Sequence, residues 1–251
     1  MSQTQPAVPA PYLLRPGVYG DAPAWGRLYY VSFTDRRSPD NIVDALFPDW
    51  RDKTGALQRM MTALFALRHW SLEYGMTSLV DGRSGEVVGF SCWKRPAGDI
   101  SFAERWLYPS TWFSYLMQTI ISLRYRLTPG PKIDPTNLGH FVRVMGRIEP
   151  QFLNSPRRRA AMYLSTAAVD PALQGRGLGL ALMNEGLAKC EAAADDDGEG
   201  VKGDGNADRA CWLVARLGTE RFYERFGFVK VADSAVDEVS HWNGGAVMFR
   251  E

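Results

Sequence analysis

One stretch limits the fold more than any other. From Met162 to Val169 the chain is small and apolar and reads as a strand, which Asp170-Pro171 ends. Gln174-Gly175-Arg176-Gly177-Leu178-Gly179 follows, and from Leu178 to about Ala194 the residues Leu180, Met183, Leu187 and Cys190 keep helical spacing. A strand that turns through glycines into a helix makes an anion site. The first N–H groups of the helix have no intrahelical acceptor, and the helix dipole favours negative charge there. Gly175, Gly177 and Gly179 let the backbone turn and approach a phosphate with no Cβ in the way. Arg176 adds a positive charge and Gln174 a neutral donor. A P-loop is excluded because the Lys-Ser/Thr pair that serves Mg²⁺ is missing. A Rossmann turn is disfavoured because no acidic residue ends a strand about 20 residues further on.

The rest of the chain supplies the partners of this unit. Tyr12 to Arg15 reads as a first strand, and Asp21 is placed to cap a helix ending near Phe33. A second helical region is expected over about 41–74, with Leu57, Met60, Met61, Leu64, Leu67 and Arg68 at helical spacing. Thr77 to Val80 and Glu86 to Trp93 read as two strands, joined by the hairpin turn Asp81-Gly82-Arg83-Ser84-Gly85. Residues 95–160 carry several Pro and Gly breaks and one expected helix, about Ser110 to Arg126. Aromatic residues crowd this stretch, which reads either as an insertion capping a site or as a plain core helix. Beyond it come strands at Ala210 to Ala215, Phe228 to Ala232 and Ala246 to Arg250, with a short helix at Thr219 to Phe226.

Composition narrows the function classes. A net charge of +1 gives no global case for nucleic acid or an anionic membrane. The three cysteines, Cys92, Cys190 and Cys211, form neither a disulfide framework nor a zinc spacing and read as core thiols. Residues 1–11 have no charged or apolar leader pattern and read as a tail, and the acidic, Gly-rich 195–208 as a mobile loop. The longest apolar stretch, Trp112 to Leu123, is too short for a bilayer, which needs ~20 such residues. A single cytoplasmic domain over 1–251 is expected, with no metal, nucleic acid or membrane partner, as a monomer or homodimer.

Val169-Asp170-Pro171-Ala172-Leu173-Gln174-Gly175-Arg176-Gly177-Leu178-Gly179, with Leu182 after it, resembles the acyl-CoA motif of the GNAT superfamily. Phe222-Tyr223-Glu224-Arg225-Phe226-Gly227-Phe228 resembles the helix-to-strand segment that ends GNAT domains, and Trp212-Leu213-Val214 lies between the two as a strand. The specific match covers about 161–230, and 12–94 fits more loosely. The resemblance implies an α/β (α+β) GNAT fold: a mixed sheet of about six to seven strands, splayed between the fourth and fifth and flanked by helices. A partly helical insertion over about 95–160 interrupts it.

The resemblance also implies acetyl-CoA as co-substrate and an N-acetyltransferase acting on a small amine by direct attack. Thr166, Ala167, Ala168 and Val169 would hold the pantetheine arm, with the N–H of Ala168 or Val169 on the thioester carbonyl. Gln174, Gly175, Arg176, Gly177, Leu178 and Gly179 would hold the pyrophosphate. Tyr223 stands where many members keep a tyrosine that protonates the CoA thiolate, or it is a core aromatic. Phe222 adjoins it. Arg216 replaces an Asn that contacts pantetheine in many members. Gly218 matches a fungal small-molecule acetyltransferase subgroup. That subgroup often carries His at the position of Ser165 and an acidic residue at that of Val214, so two polar positions differ here. The base is then a water chain, or Glu149 or His140 from the insertion. Trp106, Trp112 and Phe113 are the expected acceptor contacts. The competing readings are a protein or peptide N-acetyltransferase and a catalytically weak CoA-binding protein.

Overall fold

Two sequence periods, one helical and one alternating, fold into helices packed on both faces of a seven-stranded sheet. A computed structural model describes residues 8–35, 42–196, 209–234 and 244–251. In chain order come β1 (Tyr12–Pro16), α1 (Ala22–Phe33), α2 (Ile42–Leu46), α3 (Thr54–His69), β2 (Tyr74–Asp81) and β3 (Val87–Lys94). Then follow α4 (Phe102–Trp106), α5 (Pro109–Arg126), α6 (Pro135–Phe152), α7 (Pro156–Arg159), β4 (Met162–Val169) and α8 (Leu178–Asp196). β5 (Cys211–Arg216), α9 (Glu220–Glu224), β6 (Val229–Ser234) and β7 (Gly245–Arg250) complete the chain. The sheet order is β1-β2-β3-β4-β5-β7-β6. Every neighbouring pair is antiparallel except β4 and β5.

On one face, α1 and α3 bury Trp25, Leu28, Leu57 and Phe65 against Phe90, Cys92 and Ala168. α6 continues this layer over the other half of the sheet, with Ile148 against Trp212, Val247 and Phe249. On the opposite face, Leu178 and Leu182 of α8 meet Leu79 and Val88, and Met183, Leu187 and Cys190 meet Leu164, Leu213 and Met248. The three thiols are buried, and the neighbouring Cys211 thiol, together with burial, holds the Cys190 thiol far above its ordinary pKa. They are core atoms.

Two irregularities of β4 shape the centre of the molecule. Its register with β3 runs Phe90 to Ala168, Ser91 to Ala167 and Cys92 to Thr166, then jumps to Trp93 and Leu164. Ser165 is the extra residue of a β-bulge, so Leu164 and Thr166 face opposite layers although they are two apart. On its other side β4 pairs with β5 only through Met162, Tyr163 and Leu164, opposite Cys211, Trp212 and Leu213. Beyond that the two strands part, as expected of the fourth and fifth strands.

Several boundaries differ from the sequence reading. The region 41–74 holds two helices rather than one, and β2 already starts at Tyr74. Between 95 and 160 there are four helices where one was expected. α6 was obscured by its prolines and glycines. Pro135 in fact sits in its first turn, where no N–H is needed, and the Asp134 carboxylate caps the N–H groups of Thr136 and Asn137. α8 runs to Asp196, into the stretch read as a loop, and 197–208 lie outside the described residues. The tail expected over 1–11 is also shorter. Val8 packs against the cluster around Tyr12, and the carbonyls of Pro9 and Pro11 accept from the N–H groups of Tyr12 and Gly82. Residues 1–7 lie outside the described residues.

Asp21 precedes α1 but makes no side-chain cap to it. Its carboxylate instead takes both Arg15 guanidinium nitrogens at 2.7 and 2.8 Å and the Ser78 hydroxyl at 2.8 Å, and Trp25 Nε1 donates to that same hydroxyl. Burial alone would raise the Asp21 pKa, but the bonds from Arg15, Ser78 and the Val18 N–H bring it below its ordinary value. Stability from this lowered pKa is fully present above the unfolded value near pH ~4 and is lost as pH falls through the lower folded value. Asp21→Asn is expected to lower stability at pH 7 by about 1–3 kcal/mol. Urea titrations at a series of pH values should show the gap to wild type narrowing below pH ~4.

Candidate acyl-CoA site

The parting of β4 and β5 creates the site, and the register of β4 decides which backbone groups face it. Asp170 N–H donates to Val88 O, so with alternation Ala168 points towards β3 as well. Ala167 and Val169 point the other way, into the wedge. The expectation of an Ala168 donor is therefore corrected: its N–H belongs to the β3 ladder. Val169 O in the wedge accepts from the Ser32 hydroxyl at 3.3 Å and from Gln174 Nε2 at 3.0 Å. The Gln174 side chain thus braces the loop against β4 instead of standing free as a donor. Thr166 is buried on the α3 side, where its hydroxyl accepts from Arg68 at 3.4 Å.

Next to the wedge lies the glycine loop. Gly175 and Gly177 adopt φ of 78° and 80°, the left-handed region that favours glycine. Among the described residues, the backbone N–H groups from Gln174 to Leu180 find no acceptor, the first bond being Ala181 N–H to Gly177 O. The loop is exposed and Arg176 extends from it, while Leu178 is buried and fixes the start of α8. Gly179 lies against Phe222: a Cβ there would come within 3.3 Å of the ring. Through that contact the loop and the Tyr223 segment sit side by side across the sheet face.

Tyr223 is half-buried between Phe222 and Phe228, with ring centroids at 5.1 and 6.2 Å. Burial pushes its phenol up to about 12, with Arg216 pulling slightly the other way. No hydrogen bond reaches its hydroxyl among the described residues. Arg216, at the end of β5, turns to α1: Nη1 donates to Ser32 O at 2.9 Å and the guanidinium lies 4.3 Å from the Phe33 ring centre. It closes the outer end of the wedge by tying β5 to the helix that also touches Val169. Gly218 follows in an exposed turn at φ 84°.

The remaining expected residues are scattered. Ser165 is the bulge residue. Glu149 is exposed on α6 yet close enough to help raise the Tyr163 phenol, which burial foremost lifts to about 12. His140 is half-buried near the start of the same helix. Trp106, Trp112 and Phe113 are 46%, 58% and 52% exposed. Trp112 Nε1 donates to Trp106 O, and the Phe113 ring meets Trp70 edge-on. The prominent polar group on that side is one the sequence reading passed over. Arg68 lies over the Tyr74 and Phe65 rings at 5.1 and 5.6 Å and reaches Thr166, with no carboxylate partner among the described residues. The signal was present: an arginine within an otherwise apolar helical stripe.

A parted parallel strand pair, with free backbone donors on its inner edge and a glycine loop at a helix N-terminus beside it, defines the acyl-CoA N-acyltransferases of GNAT type. Residues 141–230 match the model of the acetyltransferase (GNAT) domain. Acetyl-CoA is the co-substrate of that family. Among solved structures, a Corynebacterium glutamicum protein described as histone acetyltransferase HPA2 and related acetyltransferase superposes with a TM-score of 0.55 at 17% identity, covering 95% of each chain. The C-terminal condensation domain of Ebony in complex with beta-alanyl-dopamine superposes with a TM-score of 0.53 at 10% identity, covering 96% of this chain and 98% of that one. These likenesses carry the fold. No curated protein matches the sequence. Among the described residues no group of three or more His, Cys, Asp or Glu is placed to hold a metal ion.

Proposed function

We propose that the protein moves the acetyl group of acetyl-CoA to the amine of a small molecule by direct attack. The reading is carried by the early end of the β4–β5 pairing, which leaves the Ala167 and Val169 N–H groups facing the wedge. The pyrophosphate sits on the N–H groups between Gly175 and Leu180, with Arg176 beside it. The pantetheine arm lies along the inner edge of β4, and one of its two free N–H groups polarises the thioester carbonyl.

The amine forms a C–N bond to that carbon and the C–S bond breaks. The amine proton leaves to water, the CoA thiolate takes a proton from Tyr223, and water returns one to the Tyr223 phenolate. With its pKa raised to about 12, Tyr223 stays protonated and can donate a hydrogen bond to the developing thiolate. Transfer completes as burial in the same wedge raises the basicity of the thiolate.

Arg68 bears on the acceptor. A cation on the α3 side of β4 disfavours a protonated amine nearby, so it favours the neutral nucleophile without a dedicated base. The fold accommodates small amine-derived ligands, as the Ebony domain does beta-alanyl-dopamine. Thiol release from acetyl-CoA should appear with members of a panel of small alkyl and arylalkyl amines and be absent with lysine peptides. Turnover on peptides alone, or on no amine, would overturn the reading.

A further inference from the structure

α5 is inside out. At 3.6 residues per turn, Trp112, Leu116, Ile120, Leu123 and Leu127 fall within about 40° of one line along the helix. A stripe of this kind normally faces the core. Here it faces solvent: Leu116 is 54%, Leu123 59% and Leu127 79% exposed. The polar side points inward instead. Gln118 Nε2 donates to Trp70 O at 2.9 Å, and the buried Thr111 hydroxyl donates to Glu104 O at 2.6 Å. Ile121 alone of the long apolar residues of this helix is buried. The exposed line continues into Trp106, Leu107 and Tyr108 at the junction with α4. None of this serves the wedge between β4 and β5.

The charges around the stripe identify what covers it. Between Glu104 and Asp134 the chain has no acidic residue, whereas Arg105, Arg124, Arg126 and Lys132 lie there. Arg124 and Arg126 are exposed and flank the apolar line about 80° to either side, the placement of side chains that reach out from the margin of an apolar face. Glu104 itself is engaged by Arg95 at 2.6 Å. A second copy docked through the same stripe would bring these cations together with no opposite charge to meet them. Anionic headgroups supply that charge, and tryptophan and tyrosine favour the headgroup depth. The net charge of +1 hides this local imbalance.

We propose that α5, with the aromatic end of α4, docks the protein flat on an anionic lipid bilayer as an interfacial helix. No helix among the described residues is long and apolar enough to cross a membrane, and the proposal needs none. Co-sedimentation of the full chain with phosphatidylcholine vesicles, with and without phosphatidylserine, tests it. Binding is expected to the phosphatidylserine vesicles and to weaken with salt. The Leu116→Ser/Leu123→Ser double variant should reduce that binding at least a hundredfold, roughly the loss for two buried leucines. Its circular dichroism and acetyl-CoA affinity should stay unchanged, since both side chains already face solvent. Arg124→Gln/Arg126→Gln should weaken binding to the anionic vesicles alone. Failure to bind either vesicle, or equal binding to both, would overturn the proposal. So would a dimer of the full chain that the double leucine variant converts to monomer. The result is independent of thiol release from acetyl-CoA, so either reading can fail without the other.

Discussion

Replacing Tyr223 with phenylalanine is expected to lower kcat about a hundredfold, the lower end of what a positioned proton donor contributes. KM for acetyl-CoA should change little, because the ring and its packing against Phe222 and Phe228 remain. Stability should also hold, since no protein group among the described residues bonds the hydroxyl that is removed. The pH profile gives a second reading. A phenol raised to about 12 stays protonated across the working range. Tyr223 therefore contributes no basic limb below pH ~10, and any such limb in the wild type must persist in Tyr223→Phe. Unchanged kcat would remove the proton-donor role and leave Tyr223 as a core aromatic.

Gly26→Leu is expected to cost about 3 kcal/mol or more and to impair acetyl-CoA binding with it. α1 crosses α3 so closely at this point that a Cβ on Gly26 would lie 2.2 Å from Thr62 Oγ1 and 2.7 Å from the Thr62 backbone nitrogen. The backbone contact cannot be relieved by a rotamer change, so the helices must separate. The last turn of α1 carries Ser32 and Phe33, which hold Val169 O and Arg216 at the outer end of the wedge. Thermal unfolding should therefore shift down, and the acetyl-CoA Kd should rise even at temperatures where the variant is folded. A variant of wild-type stability would mean that the crossing yields more easily than its geometry implies.

Most of the donor side was legible in the sequence, because local rules determine it. Glycines with positive φ, a strand before them and a helix after them leave little freedom for residues 162–194. The acceptor side was not legible, for two physical reasons. The bulge at Ser165 reverses which layer each later residue of β4 faces, and period-two reading of Met162 to Val169 gives no sign of it. The aromatic residues from Phe102 to Tyr115 were read by hydrophobicity, which signals burial but not in what. Protein layers and a lipid surface ask for the same side chains. Only the direction of α5, set by Gln118 and Ile121 against α3, separates the two. The displaced role of Gln174 has a similar origin: an amide donor at a phosphate loop serves the ligand or the loop equally well, and the nearness of Val169 O decides it.

The open pairing between β4 and β5 has a consequence for the protein's life in a crowded solution. An unpaired strand edge invites other polypeptides to add to it, and proteins normally blunt such edges at their margins. Here the edge lies in the middle of a sheet, roofed by helices on both faces and closed at its end by the Arg216–Ser32 tie. Those layers stand where another strand would have to approach to pair with it. The same recess that makes the backbone available to one kind of molecule therefore hides it from aggregation with its own kind.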